Sequence, residues 1–245
     1  MIRSFFKSLF SVIILSITCL PSRAQSNKTG SWDIINLTYH VNSHFGLYTE
    51  AEVRSQTISN EFFYHELKAG ISYYLPHKIS LFIGFGNYET YQTTGSGSFK
   101  KPVTVNEYRL WEQFTLWNNI GSIKIEHRYR IEQRWINGIY SNRFRYRINP
   151  IIPINHSSVI ACTLFLSAFD EVFFTDTAPY FIRNKVFGGV GYQFSKLLTL
   201  QVGFTRQFDY RTSDGGSGKN YLQTSVMFNM NHTRNKKEIH LSNMD

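Results

Sequence analysis

From Ile123 to Arg147 the chain reads IKIEHRYRIEQRWINGIYSNRFRYR, and this run constrains the fold more than any other. Lys124, Glu126, Arg128, Arg130, Glu132 and Arg134 take the even positions of its first half. Ile123, Ile125, His127, Tyr129, Ile131, Gln133 and Trp135 take the odd ones. A period of two belongs to an extended strand, whose side chains point alternately to opposite faces. After Asn137 and Gly138 the alternation resumes with its parity changed, Arg143, Arg145 and Arg147 lying between Phe144, Tyr146 and Ile148. Two long strands therefore form a hairpin with one charged face and one apolar, aromatic face. In a soluble sheet the apolar face joins a core that the other strands complete, and the rest of this chain does not supply one.

Residues 1–24 read as a secretory leader. Arg3 and Lys7 precede the apolar run Leu9 to Leu20, and Ser22-Arg23-Ala24 ends in a small-x-small cleavage pattern before Gln25. The run is too short to span a membrane comfortably. A lipoprotein anchored through Cys19 is the poorer alternative, since Ser16 and Thr18 are not lipobox residues. Removing the leader takes away Arg3, Lys7 and Arg23, so the formal charge of +9 falls to +6, and Cys162 remains alone. No internal disulfide can form, although an exported chain would meet oxidising conditions.

Aromatic residues make up 16% of the chain, yet mean hydropathy is -0.26. Beyond the leader no stretch holds the roughly 18 apolar residues of a membrane helix. An exported chain that is aromatic-rich, polar on average and alternating fits an outer-membrane barrel. The expected fold is all-β, an antiparallel up-and-down transmembrane β-barrel in the cell outer membrane. Export argues against nucleic acid as the acidic partner. Outer-membrane lipids or lipopolysaccharide are the natural neighbours, with the outer-membrane assembly machinery as a further partner.

Eleven alternating segments can be drawn, the first from Trp32 and the last from Tyr221. Their connections alternate short, near residues 43, 76, 119, 155 and 196, and long, near 58, 97, 139, 177 and 215. That ordering predicts tight periplasmic turns, longer outer loops, and a last strand ending on the periplasmic side. Bacterial barrels have even strand numbers. About ten strands are therefore expected, with the Trp32 segment outside the wall, or twelve if one more is hidden. Glu171 to Ile182 reads as a long connection. Gly84 and Gly86 share a face of the fourth strand, where an interior needs space. Alternation sets Glu112 beside Leu110 and Phe114 on the lipid face, which predicts a β-bulge near Trp111 that turns it inward. Residues 25–230 make the barrel, and 231–245 form a polar tail.

Several stretches carry a resemblance: Glu52 and Arg54 in EVR, NEYRLWEQ from Asn106, HRYRIEQRW from His127, RFRYR from Arg143, DEVF from Asp170 and RNKVFGGVGY from Arg183. In this order they resemble an uncharacterised, domain-of-unknown-function family of outer-membrane β-barrel proteins from Gram-negative bacteria. The resemblance covers most of the mature chain and implies location and architecture. It brings no activity or catalytic residue. Where that pattern has N-R-x-x-x-G, this chain has Asn184-Lys185, and Lys does not reproduce a bidentate Arg contact.

The candidates for a site in the lumen are Arg109, Arg128, Arg130, Glu132, Arg134, Arg143, Arg145, Arg147, Glu171 and Asn184. Two readings stay open. In one, Glu50, Glu52, Glu66, Glu107 and Glu171 pair with the arginines across the lumen and plug a narrow barrel. In the other, the arginines hold a small anionic ligand or a lipid headgroup. A hydrolase acting on outer-leaflet lipids is the alternative function, but His65 and His127 fall on the lipid face and His156-Ser157-Ser158 in a turn, without partners. Asp170-Glu171 is a weak calcium signal, and Asp214 with Gly215 and Gly216 is a turn. Gly188, Gly189 and Gly191 lack the following helix of a phosphate loop. No catalytic residue, metal ligand or cofactor is assigned.

Overall fold

The computed structural model describes residues 28–94, 96–213 and 215–232. The leader, Asp214 and the tail beyond His232 lie outside the described residues. The strands are β1 (Gly30–His40), β2 (Phe45–Thr57), β3 (Asn60–Leu75), β4 (Ile79–Gln92), β5 (Lys100–Ile120) and β6 (Ile123–Ile136). β7 (Ile139–Pro153), β8 (Thr163–Thr175), β9 (Phe181–Gln193), β10 (Leu198–Asp209) and β11 (Ser217–Asn231) follow. Each pairs antiparallel with the next, and the sheet closes on itself. The closing pair is parallel, from Gly30 beside Tyr221 to His40 beside Asn231.

Eleven strands lie between the ten and twelve weighed from the sequence. The Trp32 segment is a wall strand after all. In an up-and-down sheet of odd number the first and last strands run the same way, so only a parallel seam can close it. One end, here the upper one, carries the connections 58–59, 93–99, 137–138, 176–180 and 210–216. The lower end carries 41–44, 76–78, 121–122, 154–162 and 194–197.

These lengths correct the expected strict alternation of short and long. At the upper end the chain keeps pairing where loops were expected: β4 and β5 stay paired to Gln92 and Lys100, and β8 runs on so that Thr175 faces Arg143. Glu171 is therefore a strand residue and not part of a connection. Asn137 and Gly138, with φ of 48° and 85°, form a two-residue hairpin turn that needs left-handed backbone at both positions. The nine-residue lower connection 154–162 is long because it folds back, laying Val159 on Ile151, Phe165 and Met227 inside the barrel.

The barrel is apolar outside and polar inside. Leu67 and Ile83 are each 60% exposed on the outer face and Phe204 is 65% exposed, whereas Glu132, Glu171 and Arg147 are fully buried inside. Aromatic pairs ring both rims, Trp135 with Tyr140 and Phe181 with Tyr210 above, Phe45 with Tyr73 and Tyr192 with Phe194 below.

The bulge expected near Trp111 is absent, because β5 stays in register with β6 throughout and with β4 up to Thr90. Glu112 remains on the outer face between Ile83 and Ile131, and there accepts a hydrogen bond of 3.1 Å from Gln133 Nε2. A polar neighbour on the same face takes the place of a turn inward.

Glycines make room for rings inside. A Cβ on Gly84 would lie 2.3 Å from the Trp111 ring, and one on Gly191 would lie 2.1 Å from the Phe165 ring. Replacing Gly191 by Ala should cost about 1 to 3 kcal/mol, the usual penalty of overpacking. A lowered urea midpoint would show it, and an unchanged one would mean that the Phe165 ring has space to move aside.

Candidate functional site

The hairpin of β6 and β7 sets like charges face to face. Arg128 lies directly opposite Arg147, and Arg130 opposite Arg145. Such pairs repel across a sheet unless acids intervene. Glu171 comes in from β8, accepting from Arg128 Nη2 at 2.6 Å and from Arg145 Nε at 2.9 Å. Glu132 accepts from Arg143 Nε and Arg145 Nη1, each at 2.6 Å. Glu126 accepts from Arg147 Nη2 at 2.7 Å and from Trp117 Nε1 at 3.3 Å. Arg130 donates from Nε and Nη2 to Gln113 Oε1 at 3.0 and 2.8 Å. This is a belt of charge-assisted hydrogen bonds around the middle of the lumen.

Across the lumen the ratio inverts. Glu50, Glu52 and Glu66 bring carboxylate oxygens within 4.8 Å of one another. The ammonium group of Lys68 stands among them, bonded to Glu50 and Glu66 and 3.6 Å from Glu52, and Arg54 binds Glu52. The cluster has the composition of a cation site, but Lys68 and Arg54 supply its positive charge.

Below the belt the lumen is filled. Tyr48, Phe82 and Trp111 form one cluster, and Ile151, Phe165 and Met227 another at the lower mouth. The void beside Tyr48, Lys68 and Arg130 is about 10 Å³, at the threshold for a single water.

Above the belt the lumen opens into a vestibule of about 470 Å³. Arg54, Arg109, Arg134, Arg143, Arg145 and Arg183 line it, with Lys185 and Lys219, while its acids are Glu66, Glu107 and Asp209. Eight basic groups thus meet three acidic ones, a surplus of five. Deeper in the lumen, Lys68, Lys124, Arg128, Arg130 and Arg147 are matched by Glu50, Glu52, Glu126, Glu132 and Glu171. Three of those acids also hold vestibule cations, Glu52 binding Arg54, Glu132 binding Arg143 and Arg145, and Glu171 binding Arg145 and Lys185. The surplus therefore belongs to the lumen as a whole, with most of its basic groups on the vestibule wall. Two charges about 8 Å apart repel by about 2 kcal/mol at an effective dielectric constant of about 20, so the surplus needs support.

Aromatic rings give that support. Arg54 lies 3.5 Å above the Trp32 ring and 4.2 Å from the Tyr64 ring, and Arg109 lies 3.5 Å above Tyr88. Arg145 is 4.6 Å from Phe173, Lys185 is 4.6 Å from Trp32, and Lys219 is 4.7 Å from Phe63. A ring attracts a cation through its quadrupole while carrying no charge of its own. The cations are held in place and the net charge survives.

A family model described as a protein of unknown function (DUF2490) matches residues 29–217, from the residue before β1 to the first residue of β11. The chain belongs to the DUF2490 family. No curated protein and no solved structure matches it.

In this DUF2490 barrel the sequence candidates divide into three groups. Arg128, Arg130, Glu132, Arg147 and Glu171 make the belt. Arg109, Arg134, Arg143 and Arg145 reach the vestibule, where Arg109 and Arg134 share Glu107. Asn184 is corrected: the pleat of β9 sends it to the outer face, where its Nδ2 donates to Asp170 Oδ1 at 2.6 Å. The neighbouring Lys185 points inward, 3.5 Å from Glu171, with one contact where an arginine fork would make two. Sequence reasoning missed Trp32, Arg54, Arg183, Lys185, Asp209 and Lys219 as lining residues. Parity offered a signal for most of them, since Arg183 and Lys185 share one face of β9, as do Lys219 and Tyr221 on β11.

The histidines lie away from both regions. His65 contacts Tyr91 and His127 contacts Tyr146 on the outer face, and His156 meets Thr163 in the lower connection. None of these three histidines is held by both a serine and an acid, the arrangement the hydrolase reading calls for.

Proposed function

We propose that this protein is an outer-membrane β-barrel with a closed lumen, and that its working part is the basic vestibule, facing the outside of the cell and taking up an anionic ligand. One observation carries the reading: basic groups are concentrated at one end of the lumen. The lower part is filled, while eight basic and three acidic groups line the open cavity above it. A solute pore would need a water path where Trp111 and Phe165 are 1% exposed. A purely structural plug would balance its charges along its whole length.

The membrane setting is supported by the apolar outer face and the aromatic rims, which suit hydrocarbon flanked by headgroups, and by the leader read at residues 1–24. In water, so much contiguous apolar surface would drive association. Inward arginines fit the same setting, since Arg at the bilayer midplane costs about 2 to 4 kcal/mol on the lipid face. The upper end is assigned outward because it carries the open cavity and two seven-residue connections, whereas the lower mouth is filled, with Val159 of its long connection packed on Ile151, Phe165 and Met227.

The protein should fractionate with outer membranes and show heat-modifiable migration, and recovery as a soluble periplasmic monomer would end the reading. Epitopes inserted ahead of Thr29 or at Ser96 should be accessible on intact cells, and one at His77 only after permeabilisation. The opposite pattern would turn the vestibule to the periplasm. In planar bilayers no steady conductance is expected.

A further inference from the structure

The vestibule's charge, size and donor types together specify its ligand more closely than "anion". We propose that it is a site for a small ligand bearing two phosphoryl groups, an inference that builds on the closed lumen and deepens the reading of the vestibule as the working site.

Charge density is the first argument. Eight basic groups and only three acidic ones line about 470 Å³, which is in the size range of a small-molecule pocket, and the carboxylates behind that wall leave the lumen with an excess of positive charge. A phosphate monoester carries about 1.5 to 2 negative charges at neutral pH and three acceptor oxygens. Two such groups offset three to four of the charges, whereas carboxylates would need one group for each charge in the same space. Donor geometry is the second. Six of the eight cations are arginines, whose planar forks match phosphate oxygens in pairs.

The third argument is that donors are left over. Trp32 is fully buried and lines the cavity, and its Nε1 has no acceptor; Arg54 Nε, on the same wall, has none either. Lys219 lines the upper part, stacked on Phe63, and among the described residues it has no ion pair. Buried donors are normally satisfied, and a phosphoryl group would supply their acceptors. Two sources share this chemistry, a free sugar bisphosphate and the phosphorylated sugar headgroup of an outer-leaflet glycolipid.

The test is calorimetric titration of the full-length barrel in detergent with fructose 1,6-bisphosphate, fructose 6-phosphate and citrate, and separately with lipopolysaccharide before and after dephosphorylation. The bisphosphate should bind one to one and at least ten-fold more tightly than the monophosphate or citrate. Lys219→Gln, at a half-buried position whose ammonium group has no ion pair among the described residues, should fold normally and weaken binding several-fold. Arg54→Gln should weaken it at least ten-fold. Binding of lipopolysaccharide alone, lost on dephosphorylation and weakened by Lys219→Gln, would support the same site with the headgroup as its source. The proposal is overturned if citrate binds as tightly as the bisphosphate, if no phosphorylated probe binds, or if Lys219→Gln leaves affinity unchanged. A steady conductance from the same preparation would sink the closed-lumen reading by itself, which separates the two failures.

Discussion

Replacing Glu132 by Gln should lower the stability of the barrel by about 3 to 5 kcal/mol, the usual cost of breaking a buried ion pair from one side. Glu132 is fully buried and accepts from both Arg143 and Arg145 at 2.6 Å. Arg130 Nη1 lies 3.6 Å from the same carboxylate. Gln keeps the shape and one acceptor oxygen but removes the charge and presents an amide donor to a guanidinium. Arginine cannot shed its proton to escape, and the surrounding positive charge is already in surplus. Against a typical stability of about 5 to 15 kcal/mol, the loss is large enough to read as a shifted urea midpoint in heat-modifiable migration. An unchanged midpoint would mean that water or an ion reaches the belt, and the lumen would then not be closed.

Lys68→Met is the mirror experiment, with an effect of similar size that removes a cation from among acids. At neutral pH it leaves Glu50, Glu52 and Glu66 clustered around an apolar side chain, with Arg54 as the nearest remaining cation. A loss of about 3 to 5 kcal/mol is expected there. The loss should appear as a urea midpoint lowered about as far as in Glu132→Gln, and an unchanged midpoint would mean that the three acids do not depend on Lys68.

Much of this architecture was legible in the chain. Alternation through Ile123–Arg147 places Arg128, Arg130, Arg143, Arg145 and Arg147 on one face, and the structure buries all five inside. The partners Glu50, Glu52, Glu66, Glu107 and Glu171 follow from the same parity. What parity could not give was depth along the lumen. Arg128 and Arg134 share a face, yet one is neutralised in the belt and the other borders open space, because pairing registers across several strands set that difference. Glu112 and Asn184 were misplaced for a local reason: each lies on the outer face with a polar partner on the neighbouring strand, and a single strand cannot show its neighbour. The connections misled at their edges: Lys100 to Val103 and Glu171 to Thr175 adjoin turn-forming runs, yet they pair as strand past the apolar band.

The parallel seam between β1 and β11 has a consequence for engineering. In barrels with an even number of strands the two chain ends meet at one rim, so a short peptide can join them and new ends can be cut elsewhere. Here Gly30 and Asn231 lie at opposite rims, and the fifteen residues of β11 span about 50 Å along the strand at roughly 3.3 Å per residue. A joining peptide would have to run through the filled lumen or along the apolar exterior with its backbone polar groups unpaired. Circular permutation, which many domains tolerate because their termini are close together, should therefore fail in this barrel at every choice of new ends.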